Sequence, residues 1–136
     1  MNILVIDGQG GKLGCQMVKS IAEKYPGARL MAVGTNSAAA AAMAKAGAHQ
    51  AAAGENPLIV ACRKADIIIG PIGIVIADSL FGEITPAMAV AVAQSEAVRI
   101  LLPVNRCGNI VAGVQELSLT ALISDAMAKL EGVMQE

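Results

Sequence analysis

The sequence predicts an α/β fold: one domain with a three-layer, doubly wound, mainly parallel sheet in a strand order near 3-2-1-4-5, with a sixth strand possible at the edge. Three observations carry that expectation. The chain opens with a short apolar run, Ile3 to Ile6, that breaks into glycines at Gly8, Gly10, Gly11 and Gly14 and continues as a helix. Apolar runs of strand length then alternate with helical segments to the end of the chain. Pro and Gly punctuate these segments without leaving a linker or a repeat.

Each element follows from local chemistry. The first strand ends at Asp7, and glycines there let the backbone turn sharply and approach a ligand closely. The first helix is expected from about Lys12 to Tyr25. Gly14, Val18, Ile21, Ala22 and Tyr25 recur on one face, while Lys12, Gln16, Lys19, Glu23 and Lys24 face water. Pro26 and Gly27 end it, and Ala28 to Val33 reads as strand two. Asn36 or Ser37 caps an alanine-rich helix from Ala38 to Ala46 that stops at Gly47. Ala48 to Ala53 is the weakest strand, because it lacks β-branched residues. Asn56 followed by Pro57 marks the start of a helix that runs to Lys64.

Asp66 to Ile69 suits a strand covered on both faces, and Gly70-Pro71-Ile72-Gly73 breaks it. Ile74 to Glu83 reads as a loop with one helical turn. Thr85 and Pro86 open a helix that runs to about Ser95, and strand five covers Val98 to Val104. A turn over Asn105, Arg106, Cys107, Gly108 and Asn109 leads to a sixth strand at Ile110 to Val114. Ser118 to Val133 forms the closing helix.

Composition narrows the function classes. Of 136 residues, 55% are hydrophobic and 15% charged, against a usual charged fraction of about a quarter. Such a chain has too few polar groups to cover itself, so a homodimer or larger homo-oligomer with an apolar interface is expected. Tyr25 and Phe81 are its aromatic residues and the net charge is −1, a poor basis for holding nucleic acid. Cys15, Cys62 and Cys107 are odd in number and widely spaced, which suits neither a disulfide framework nor a zinc site. They fit a reducing compartment. With no leader-like start and no apolar run long enough to span a bilayer, a soluble, cytoplasmic protein is expected.

In open α/β sheets, ligands bind outside the carboxyl ends of the strands. The candidate binding set is Asp7, Gly8, Gln9, Gly10, Gly11, Lys12 and Leu13 in the first turn, with Gly34, Thr35, Asn36 and Ser37 after strand two. Gly70, Pro71, Ile72 and Gly73 join it after strand four, and Asn105 and Arg106 after strand five. Free N–H groups at the start of the first helix attract phosphate. A corner already filled by side chains, or with its amides already paired, would leave only the architecture.

NAD binders place an Asp or Glu at the end of strand two to accept from ribose hydroxyls. Gly34-Thr35-Asn36-Ser37 stands there instead, which admits NADP or another phosphorylated nucleotide and counts against ordinary NAD binding. Capping of the next helix explains the same residue types equally well. Glu55, Asn56, Asp78, Ser79, Glu83 and Thr85 lie at or near the same rim. Asp78 and Glu83 form a conceivable acid–base pair, but solvated loop carboxylates are the commoner case. Cys107 beside Arg106 is better read as a small turn residue than as a nucleophile, since His49 is expected on a distant strand. No ligand cluster for a metal is present in the sequence. The apolar loop Ile72 to Phe81 suits a subunit contact better than a lid.

Gly8, Gly11 and Gly14 give the spacing Gly-x-x-Gly-x-x-Gly, which resembles the turn of extended short-chain dehydrogenases. The likeness stops there: the chain has no Tyr-x-x-x-Lys pair, since position 29 is Arg. A second resemblance covers nearly the whole chain. It is carried by Val5 to Gly11, Val33 to Ser37, Ile67 to Gly73, Ala77 to Ser79, Gly82 to Pro86 and Pro103 to Cys107. These runs resemble a family of small bacterial proteins known as a domain of unknown function. That resemblance implies a Rossmann-like domain and carries over no catalytic residue.

Three functions follow as expectations. The first is a sensor or regulatory module that holds a phosphorylated nucleotide at the glycine turn. The second is a small NADP-dependent oxidoreductase with a site completed across a dimer, and the third is a structural or assembly protein without a ligand.

Overall fold

Parallel pairing builds the centre of the protein. The computed structural model describes residues 1–104 and 106–135, so Asn105 lies outside the described residues. Five strands, β1 (Asn2–Asp7), β2 (Arg29–Gly34), β3 (Gln50–Ala53), β4 (Ile67–Pro71) and β5 (Val98–Leu102), form one sheet in the order 3-2-1-4-5. All four neighbouring pairs are parallel. The helices that connect them are α1 (Lys12–Lys24), α2 (Ser37–Ala46), α3 (Glu55–Lys64) and α4 (Pro86–Gln94), and α5 (Leu119–Met134) closes the chain. This is a Rossmann-like architecture.

Strand alternation divides the core into two halves. Ile3 and Val5 of β1 point toward α1 and α5, where Met17, Val18, Ile21, Ile123 and Leu130 are buried. Leu4 and Ile6 point the other way, into a cluster with Leu58 of α3 and Met88 and Val92 of α4. β1 and β4 are apolar on both faces because helices cover both, the pattern expected of central parallel strands.

Most helix starts follow their local signals. Asn36 caps α2 by accepting from the Ala39 N–H at 2.8 Å. Thr85 caps α4 from the Met88 N–H at 3.2 Å with Pro86 at the first helical position, and Ser118 caps α5. α3 departs from expectation. Its cap is Gly54, and Pro57 falls later in the first turn, where a missing N–H is equally harmless. The Gly54 N–H bonds the Gly34 carbonyl at 2.9 Å, and that tie to β2 fixes where the helix begins.

Two segments correct the sequence reading. Gly70 and Pro71 belong to β4 rather than to a break after it, and a short 3₁₀ turn follows over Ile72–Val75. A side chain on Gly70 would meet the Ile6 carbonyl oxygen at 2.5 Å, so a strand pressed against β1 requires a glycine there. No sixth strand forms at residues 110–114. Gly108 and Gly113 both adopt left-handed φ, of 80° and 82°, and turn the run back before it can pair.

Candidate functional site

Strand register places the glycine turn beside the end of β2. Asp7 pairs with Gly34, and the Thr35 N–H bonds the Asp7 carbonyl at 3.0 Å. The Asp7 side chain is buried and turns back into the corner. Its two oxygens accept from the Gly8 N–H at 2.8 Å and the Gly14 N–H at 2.7 Å. Burial raises its pKa, opposed by these two bonds and reinforced by the nearby Glu83 charge. The corner therefore contains a carboxylate tied to the start of α1.

A second carboxylate reaches the corner from the other side. Glu83 lies on the loop between β4 and α4, and Oε1 accepts three hydrogen bonds there. They come from the Gln9 N–H at 2.8 Å, the Thr35 hydroxyl at 2.5 Å and the Asn36 Nδ2 at 2.8 Å. Burial tends to raise the Glu83 pKa, but the three donors outweigh it and hold the carboxyl below its ordinary value. Asn36 also donates from Nδ2 to the Gln9 carbonyl at 2.9 Å, which ties the two loops together. Leu80, buried on the same loop, packs over Gly8.

Three of the four turn glycines have a packing reason. A Cβ on Gly8 would stand 2.5 Å from the Thr35 hydroxyl oxygen, and one on Gly14 would stand 2.6 Å from the Met43 sulfur. Gly11, at φ 74°, comes within 2.8 Å of the Ala39 backbone by the same measure. Gly10 has none: nothing lies within 4 Å of the space its side chain would fill.

The amides divide the same way. Those of Gly8, Gln9, Gly11 and Gly14 are paired within the protein, with the Gly11 N–H on the Gly8 carbonyl at 2.9 Å. Among the described residues no protein acceptor faces the N–H groups of Gly10, Lys12 and Leu13. The corner is thus largely filled by Asp7, Glu83 and the packing at Gly8, Gly11 and Gly14, and what stays unpaired is the N–H groups of Gly10, Lys12 and Leu13.

The other predicted residues divide between this corner and elsewhere. Thr35 and Asn36 line it, while Ser37 is exposed as the first residue of α2. Gly70 to Gly73 lie at the end of β4, beside β1. Pro71 and Gly73 are buried, and the Gly73 carbonyl accepts from the Ser79 hydroxyl. Arg106 is engaged by its own segment: Nε donates to the Pro103 carbonyl at 2.8 Å, and the guanidinium lies 3.7 Å from Glu116. Cys107 is an exposed turn residue at φ 51°. Cys62 is buried, and that burial pushes its thiol up to about 11, which leaves it protonated at neutral pH. Nδ1 of His49 accepts from the Leu30 N–H at 3.0 Å, a role within the sheet.

Asp78 is exposed and Glu83 is committed to the corner, so each serves a separate place on the loop. Glu55 accepts from the Thr85 hydroxyl and links the starts of α3 and α4. Among the described residues no group of three or more His, Cys, Asp or Glu gathers as a metal site. No described helix is long and apolar enough to cross a membrane.

Sequence reasoning placed Glu83 at the rim but missed its part in the corner. It lies far from the glycines in sequence, and neither periodicity nor spacing links them. The one available signal was a carboxylate missing from the end of strand two, with acidic residues on a loop able to fold over the same edge.

No curated protein matches the sequence. The family model described as Domain of unknown function (DUF3842) matches residues 2–135, and with nearly its whole length covered the chain belongs to that family.

Proposed function

We propose that the protein binds a phosphorylated nucleotide as a small regulatory module, with phosphate at the start of α1 and ribose beside Glu83. The observation that carries this reading is the set of unpaired amides in the glycine corner. At this helix N-terminus the N–H groups of Gly10, Lys12 and Leu13 make no hydrogen bond to the described residues, with open space where a Gly10 side chain would stand and the Lys12 side chain exposed. Packing accounts for the other three glycines and leaves Gly10 for the ligand.

Glu83 refines the ligand class. Its Oε1 is occupied by three donors, while Oε2 accepts no hydrogen bond from the described residues. A carboxylate so placed at the end of β2 suits ribose hydroxyls, which donate, and repels a 2′-phosphate. NAD, AMP or ATP therefore fits better than NADP, although the end of β2 supplies no carboxylate of its own.

The test is a thermal-shift screen with NAD, NADP, AMP, ATP and FMN. At a ligand concentration a hundredfold above its dissociation constant, binding adds about 2.7 kcal/mol and raises the melting temperature by several degrees. The expected result is stabilisation by a nucleotide with free ribose hydroxyls, lost in Gly10→Val with the unliganded melt unchanged. If no nucleotide shifts the melt, the reading is overturned and an assembly protein without a ligand takes its place. Consumption of NADPH with a simple carbonyl would favour the oxidoreductase.

A further inference from the structure

We propose that a second copy of this chain docks on the outer face of α3 and α4, which lie side by side over one face of the sheet. The first observation is the composition of α4. From Pro86 to Gln94 it carries no charged residue, although only Met88, Ala89 and Val92 are buried. Ala87, Val90 and Ala93 face outward, with Val90 49% exposed. A helix with one side in water normally carries charge there, as α1 does with Lys12, Lys19 and Glu23. α4 has the composition of a helix covered on every side.

The second observation is shape. A groove of about 790 Å³ runs between α3 and α4, with Ile59 on one wall and Val90 and Ala91 on the other. The third is charge, and it selects the occupant. At the foot of the groove, Arg63 and Lys64 end α3 with Asp66 just after them on one side, and Glu96 follows α4 on the other. All four are exposed, and among the described residues none forms an ion pair.

A partner with a single sign of charge would satisfy half of this patch and oppose the rest. A second copy related by a two-fold axis satisfies both halves, because in such a contact residue i meets j and j meets i. Arg63 and Lys64 of each copy then face the other copy's Glu96, while the apolar outer side of α4 is removed from water. The groove's foot lies at the amino ends of β4 and β5. The glycine corner, at the carboxyl end of β1, remains open.

The experiment is size-exclusion chromatography with light scattering on the full chain. The wild type is expected at twice 13.8 kDa and Val90→Lys at 13.8 kDa, with the circular dichroism spectrum unchanged since Val90 is 49% exposed. Arg63→Glu should raise the dimer dissociation constant about tenfold, equivalent to ~1.4 kcal/mol, and Arg63→Glu with Glu96→Arg should restore it. A monomeric wild type would overturn the proposal and assign the face to another partner. So would a dimer indifferent to Val90→Lys and to the charge changes, or an assembly larger than a dimer.

Discussion

At Gly14 a side chain has nowhere to go. Its first carbon would stand 2.6 Å from the Met43 sulfur and 2.7 Å from the Asp7 Cβ, deep between α1, α2 and β1. Gly14→Val should therefore destabilise the fold by ~1–3 kcal/mol through overpacking. Gly10→Ala should change stability by less than ~0.5 kcal/mol, because the added methyl meets open space. Paired urea titrations of the two variants check the contrast; equal losses would mean that Gly10 is structural too. Glu83 invites a test by pH. Its folded-state pKa lies below the ordinary 4.5, so its charge contributes stability that is present above 4.5 and lost as pH falls through the folded value. Asp7 acts in the opposite sense: its pKa is raised above 3.8, and its contribution is lost as pH rises through the folded value. The melting-temperature gap between wild type and Glu83→Gln should be constant near neutrality and should narrow as pH falls below about 4.5. A gap independent of pH would show that the charge on Glu83 does nothing for the corner.

Among the elements, those with a start signal of their own were legible. Asn36, Thr85 and Ser118 each accept from a backbone N–H three residues on, and each helix begins where its cap indicates. Thr85→Ala removes both the cap of α4 and the link from Thr85 to Glu55. A loss of about 1 kcal/mol is expected, read as a fall in melting temperature of ~2–5 °C by calorimetry. An unchanged melt would show that tertiary packing alone holds the start of α4. The elements misread in sequence lacked such a signal or were overruled. Gly70 and Pro71 look like a break, yet β4 runs through them: strand pairing with β5 continues to Pro71 and Leu102, and close approach to β1 favours a glycine. Ile110 to Val114 has the apolar composition of a strand, but Gly113 turns it and no neighbour pairs with it.

At the scale of the whole molecule, parallel pairing brings the ends of β1 and β2 together, and the β4–α4 loop folds back across them. The alternation of apolar runs with helical segments determined the α/β class and the position of the glycine turn, because those signals are local. Each depends on residues a few places apart whose turn, cap or face physics holds in any context. What only the tertiary structure decided is which amides of the turn stay unpaired. Asp7 closes part of it from within and Glu83 another part from 74 residues away, bonding the Gln9 N–H. Hydrogen bonds over that separation form only after the sheet has brought distant loops to one edge, so no pattern of neighbouring residues could encode them.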